Sequence, residues 1–114
     1  MANPDPALVK DTKRLLVIDD DPSVREMLVR VLKADGYRVW PAADGRHGLA
    51  IVTAMPIDLA LLDLGLPARD GWEIFDALLR ENPRIAVIII TARANQRAIA
   101  KGAGADAILE KPLD

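Results

Sequence analysis

Five short apolar runs alternate with stretches of helical periodicity, and no other feature constrains the fold of this chain as strongly. The runs are Leu15–Ile18, Arg38–Trp40, Leu59–Leu62, Ala86–Ile90 and Ala107–Leu109. The central ones are apolar without alternation, as expected of strands covered on both faces of a parallel sheet. Strands that alternate with helices imply parallel pairing through right-handed crossovers. The expectation is an α/β, doubly wound, five-stranded parallel sheet. At 114 residues, 51% of them apolar, the chain is long enough for one domain with a core of its own.

The helices can be placed by their caps. Asp21 is placed to cap the first, with Pro22 at the first helical position, where its missing N–H costs nothing. Val24, Met27, Leu28, Val31 and Leu32 then recur on one face, and Gly36 closes the helix. The second is predicted over Gly45–Ala54 with Asp44 as cap. The third starts at Asp70-Gly71 and carries Ile74, Phe75, Leu78 and Leu79 before Pro83 forbids continuation. A fourth, short and weak, spans Asn95 to Lys101 and is stopped by Gly102 and Gly104. Residues 1–13, with two prolines and little pattern, read as a flexible leader, and residues 14–114 as the domain.

Composition removes several function classes. There is no cysteine, so disulfides, thiol nucleophiles and thiolate metal sites are excluded. The single histidine, His47, lies among charged and glycine residues and reads as solvated surface. Fifteen basic against seventeen acidic residues give no electrostatic case for direct nucleic-acid binding. No apolar run approaches the ~20 residues of a membrane span, and the N-terminus has no signal-peptide pattern. A soluble, cytoplasmic protein is the expectation.

In open parallel sheets, ligands bind beyond the carboxyl ends of the strands. The residues there are informative. Asp19-Asp20-Asp21 come after the first run, Asp63 after the third, Thr91 after the fourth, and Lys111-Pro112 after the fifth. Carboxylates gathered at one edge repel one another and are tolerated if a hard cation sits among them. Oxygen-only ligands favour Mg²⁺ or Mn²⁺ over zinc. A carboxylate flanked by such a cation, a lysine and a hydroxyl is placed to attack phosphorus.

Four segments carry a resemblance. Leu-Leu-Val-Ile-Asp-Asp-Asp-Pro-Ser-Val-Arg, Leu-Leu-Asp-Leu-Gly-Leu-Pro-Ala-Arg-Asp-Gly, Ile-Ile-Ile-Thr-Ala-Arg and Leu-Glu-Lys-Pro-Leu resemble the receiver (CheY-like) domain of two-component response regulators over residues 14–113. Each is weak alone; together and in order they are specific. The resemblance implies a flavodoxin-like strand order 2-1-3-4-5. It implies that Asp63 is the phospho-acceptor, loaded from a phosphohistidine on a sensor histidine kinase or a histidine phosphotransfer protein. Asp19 and Asp20 match the acidic pair that holds Mg²⁺, the second usually as direct ligand and the first largely through water. Gly65 matches the position whose backbone carbonyl completes the metal shell. Thr91 matches the hydroxyl that meets the phosphoryl oxygen, and Lys111 the lysine that pairs with the acceptor and then with the phosphoryl group. Asp21 stays an N-cap, Pro67 and Asp70-Gly71 stay turn and cap residues, and Trp40 and Trp72 stay packing residues.

The sequence departs from the family in three places. Ile108 stands where an aromatic often rotates with the threonine. The interval from Thr91 to Lys111 is shorter than the family's, so the fourth helix is expected to be shortened. The residues given are expected to stop before the family's fifth helix, which would leave Leu15–Ile18 and Ala107–Leu109 exposing apolar area unless a partner, or a second copy in a homodimer, covers them. Gly65 and Arg93 stand where the family tunes the lifetime of its phosphoryl group. Two other functions compete. A pseudo-receiver docking module usually lacks an acidic residue or the lysine, and all are present here. A small aspartyl-phosphate phosphatase commonly carries an aspartate two residues after its nucleophile, and Gly65 stands there. The resemblance thus implies a signalling phospho-acceptor rather than a dedicated enzyme, with an output partner that these residues do not name.

Overall fold

The computed structural model describes residues 13–64, 68–91 and 104–111. Five parallel strands form one sheet of order β2-β1-β3-β4-β5, as expected: β1 Arg14–Ile18, β2 Arg38–Ala42, β3 Leu59–Asp63, β4 Ala86–Thr91 and β5 Ala107–Glu110. The described helices are α1 Pro22–Ala34, α2 Gly45–Ala54 and α3 Ala68–Glu81. The leader up to residue 12 and the fourth helix over Asn95–Lys101 lie outside the described residues.

Alternate strand residues serve two separate cores, as the two-residue strand period requires. Leu16 and Ile18, Ala60 and Leu62, and Val87 and Ile89 point to the face covered by α2 and α3, where Val52, Phe75 and Leu78 complete the larger core. Leu15, Val17, Leu61 and Ile90 point to the other face, against Leu28, Val29 and Leu32 of α1.

Three expectations are corrected. β2 runs on through Pro41 to Ala42 rather than stopping at Trp40. The strand is at the sheet edge, where a proline's missing N–H deprives no neighbour. The third helix begins at Ala68, not at Asp70-Gly71. Ala68 and Arg69 are strong helix formers. Gly71 serves close packing instead of a turn: a Cβ there would come within 2.8 Å of Leu64 Cδ2. Leu15–Ile18 are not exposed; each is at most 5% accessible, because β1 is an inner strand and α1 lies over the face opposite α2 and α3. The open part of that face is over β3 to β5. Leu59, Ala86 and Ile88 are half-buried there, and Leu109 is 40% exposed.

α1 begins as predicted. The Asp21 carboxylate accepts hydrogen bonds from the backbone N–H groups of Ser23 (2.9 Å) and Val24 (3.4 Å), with Pro22 immediately after the cap. At its other end Gly36 takes a φ of 102°, which glycine adopts without strain. Asp44 caps α2 by accepting from His47 N at 2.8 Å, and His47 itself is exposed.

Gly48 lets α2 approach the sheet. A Cβ added there would lie 2.5 Å from Cδ1 and 2.9 Å from Cγ1 of Ile18, the residue just before Asp19. Gly48→Val is therefore expected to overpack this contact and lower the unfolding free energy by about 1–3 kcal/mol. Urea unfolding checks it, and unchanged stability would show that Ile18 has room to move.

Candidate functional site

Strand order alone gathers the predicted residues. β1, β3, β4 and β5 are consecutive neighbours, so the residues at their carboxyl ends share one edge. Asp19 comes directly after β1, Asp63 ends β3, Thr91 ends β4 and Lys111 comes directly after β5. Backbone bonds continue the sheet around them: Asp19 N–H donates to Ala42 O (3.1 Å), Leu64 N–H to Ile90 O (2.8 Å) and Lys111 N–H to Thr91 O (2.8 Å).

Asp19 and Asp63 are wholly buried, Thr91 is buried, and Asp20 is exposed. One ligand oxygen from each of Asp19, Asp20 and Asp63 can be chosen so that all lie within 4.8 Å of one another. The Lys111 ammonium donates to Asp63 Oδ2 at 3.2 Å and stands 3.4 Å from Asp19 Oδ2. Asp19 Oδ1 accepts from Asp21 N–H at 2.9 Å, whereas the buried Oδ2 accepts no hydrogen bond among the described residues. Its ionic contact with Lys111 does not meet hydrogen-bond geometry. A buried carboxylate oxygen without a donor, among two other carboxylates and no nitrogen or sulfur ligand, fits a hard divalent cation. Gly65, expected to add a carbonyl, lies outside the described residues, as do Pro67, Arg93 and Pro112.

Two features are not evident from the sequence. Arg25, on the first turns of α1, donates from Nη1 to the backbone carbonyl of Asp19 at 2.8 Å. The available signal was its place on the helix that begins after the three aspartates. At the opposite edge, Asp58 accepts from Arg14 N–H and Asp106 from Val87 N–H, both at 2.8 Å. There the signal was an aspartate immediately before each of β3 and β5. The position that often carries an aromatic is filled by Ile108, half-buried against the α2–α3 core and registered with Ile89. Trp40 and Trp72 pack against the same core.

Comparison with known proteins gives one consistent result. The family described as the response regulator receiver domain matches residues 15–114. Response regulator GtcR of Aneurinibacillus migulanus is 33% identical over 105 residues, which cover 90% of this chain and 43% of that protein. Transcriptional regulatory protein TcrA of Mycobacterium tuberculosis is 37% identical over 103 residues, covering 89% and 41%. The chain thus spans about two-fifths of the length of these curated relatives. A CheY-like receiver domain protein from Methanospirillum hungatei superposes with a TM-score of 0.82 at 32% identity, covering 90% of this chain and 84% of that one. TrrA of Thermotoga maritima, solved in complex with Mg²⁺-BeF, gives 0.80 at 29% identity, covering 90% of each.

Burial by itself pushes the Lys111 pKa down, but the carboxylates of Asp63 and then Asp19 outweigh it and hold the ammonium above the ordinary 10.5. A raised pKa contributes stability that is complete below the unfolded value and is lost as pH rises through the higher folded one. Wild type is therefore expected to be more stable than Lys111→Met in chelator. That difference should be constant from neutral pH up to 10.5 and shrink above it. Urea unfolding across the alkaline range checks the sign, and a difference that grows with pH would contradict the pairing.

Proposed function

The chain belongs to the response regulator receiver domain family, and on that premise we propose that Asp63 accepts a phosphoryl group from a phosphohistidine in a divalent-cation-dependent reaction. The observation that carries this reading is the buried Asp63 carboxylate, held by Lys111 at 3.2 Å beside Asp19 and Asp20. A carboxylate oxygen of Asp63 bonds to phosphorus as the phosphorus–nitrogen bond breaks. The donor ring, protonated on its other nitrogen, leaves as neutral imidazole. Asp19, Asp20 and Asp63 are the side chains that would hold Mg²⁺ or Mn²⁺, with the Gly65 carbonyl as the expected fourth ligand. A cation bound there supplies positive charge against the transferring oxygens. The Lys111 ammonium, already beside Asp63, meets a second phosphoryl oxygen, and the Thr91 hydroxyl, at the end of the adjacent strand, donates to a third.

The donor is a sensor histidine kinase or a histidine phosphotransfer protein, and the setting is the cytoplasm. No described helix is long and apolar enough to cross a membrane. The domain catalyses its own loading and slow unloading and acts as a switch rather than as a dedicated enzyme. With Ile108 in place of an aromatic, aliphatic repacking behind Thr91 alters the surface around β5 that an output partner, or a second copy, reads. The transcriptional role of TcrA attaches to a protein more than twice this length, and here it is the proposed output.

Intact mass after incubation with Mg²⁺ and acetyl phosphate tests the acceptor. One phosphoryl adduct is expected on wild type and none on Asp63→Asn or in chelator. A folded wild type that takes up no phosphoryl group would favour the docking-module reading. Asp20→Ala is expected to raise the half-saturating Mg²⁺ concentration for labelling by about tenfold or more. Unchanged Mg²⁺ dependence would remove Asp20 from the cation's ligands.

A further inference from the structure

Asp20 is the exposed member of the acidic cluster, and no hydrogen bond of its own side chain holds it among the described residues. Its position is set through its neighbours. On the N-terminal side, Asp19 is fixed at its N–H by Ala42 O (3.1 Å), at its Oδ1 by Asp21 N–H (2.9 Å) and at its carbonyl oxygen by Arg25 Nη1 (2.8 Å). The Asp19 carbonyl belongs to the rigid peptide plane that also contains the N–H of Asp20. Fixing that oxygen therefore fixes the direction in which the chain enters Asp20. A guanidinium normally prefers a carboxylate fork. Arg25 instead forms no ion pair with a carboxylate among the described residues, although its helix begins directly after three aspartates. The first turns of α1, capped by Asp21, carry Arg25 to the carbonyl.

From this geometry we infer that Arg25 is a positioning residue for the cation site: it orients the Asp19–Asp20 peptide so that the Asp20 carboxylate is presented toward Asp19 and Asp63 before a cation arrives. The inference rests on the divalent-cation reading of the cluster. It has a definite sign. A positive charge beside a cation site opposes cation binding, whereas preorganised ligands favour it. If Arg25 contributed only charge, its removal would tighten binding; because it positions, its removal weakens binding.

The test is an NMR titration of the whole chain with MgCl₂ at fixed ionic strength, comparing wild type, Arg25→Met and Arg25→Gln. Arg25→Met keeps the apolar stem and loses both donor and charge. Its Mg²⁺ Kd is expected to rise about tenfold, the effect of losing one charge-assisted hydrogen bond. Labelling by acetyl phosphate at saturating Mg²⁺ should stay within about twofold of wild type, as expected when only binding energy is lost. Arg25→Gln keeps an amide donor without the charge, and it decides the matter if the methionine variant fails to fold; its Kd is expected above that of wild type. A Kd at or below the wild-type value in either folded variant overturns the inference. So does labelling by the methionine variant that stays slow at saturating Mg²⁺. A wild type that does not bind Mg²⁺ overturns the cation reading itself, a separate and visible failure.

Discussion

Among the described residues, two wholly buried carboxylates, Asp19 and Asp63, face the ammonium of Lys111, and the rest of the site is arranged around this contact. Buried charge is costly unless it is paired and hydrogen-bonded. Lys111 answers both carboxylates but donates a hydrogen bond only to Asp63, and it leaves Asp19 Oδ2 without a donor among the described residues. Exposed Asp20 adds a further negative group. Such a site retains strong attraction for positive charge even with its lysine in place.

Holding it requires a rigid frame, and the packing supplies one directly behind three of the site residues. Ile18, Leu62 and Ile90 precede Asp19, Asp63 and Thr91 in their strands, and all are inaccessible. Gly48 and Gly71 let α2 and α3 approach Ile18 and Leu64 more closely than any side chain would permit. The two faces differ. The α2–α3 face holds the larger core, whereas beside α1 a mostly apolar groove of about 310 Å³ over β1, β3 and β4 is lined by Leu15, Leu32, Tyr37, Leu59, Leu61 and Ile88, together with Lys13 and Asp58. Rigidity is thus concentrated behind the acceptor, and unfilled apolar surface lies away from it.

Thr91 and Lys111 keep the residue types of the family's site, whereas Ile108 stands where the family often has an aromatic. The threonine and lysine sit on adjacent strands, joined by the Lys111 N–H to Thr91 O bond. Ile108 fills the place of a rotating aromatic and belongs to the α2–α3 core through its register with Ile89. A branched aliphatic side chain has few rotamers and no ring to swing. In the proposed switch, a signal leaving Thr91 therefore passes through small shifts in packing.

The sequence by itself determined the order of the described elements, the parallel sheet, the caps at Asp21 and Asp44, and the residue types at the strand ends. Each of these is local: apolar runs, helical spacing and capping chemistry are complete within a few residues. Only the tertiary structure decided which of Asp19 and Asp20 is buried, because that depends on Ala42 and Lys111, brought in from β2 and β5. It also decided that Gly71 serves a contact rather than a turn, that β1 is covered rather than exposed, and that Arg25 holds the Asp19 carbonyl. Burial, close approach and the choice of hydrogen-bond partner are properties of neighbours distant along the chain, and no local pattern specifies them.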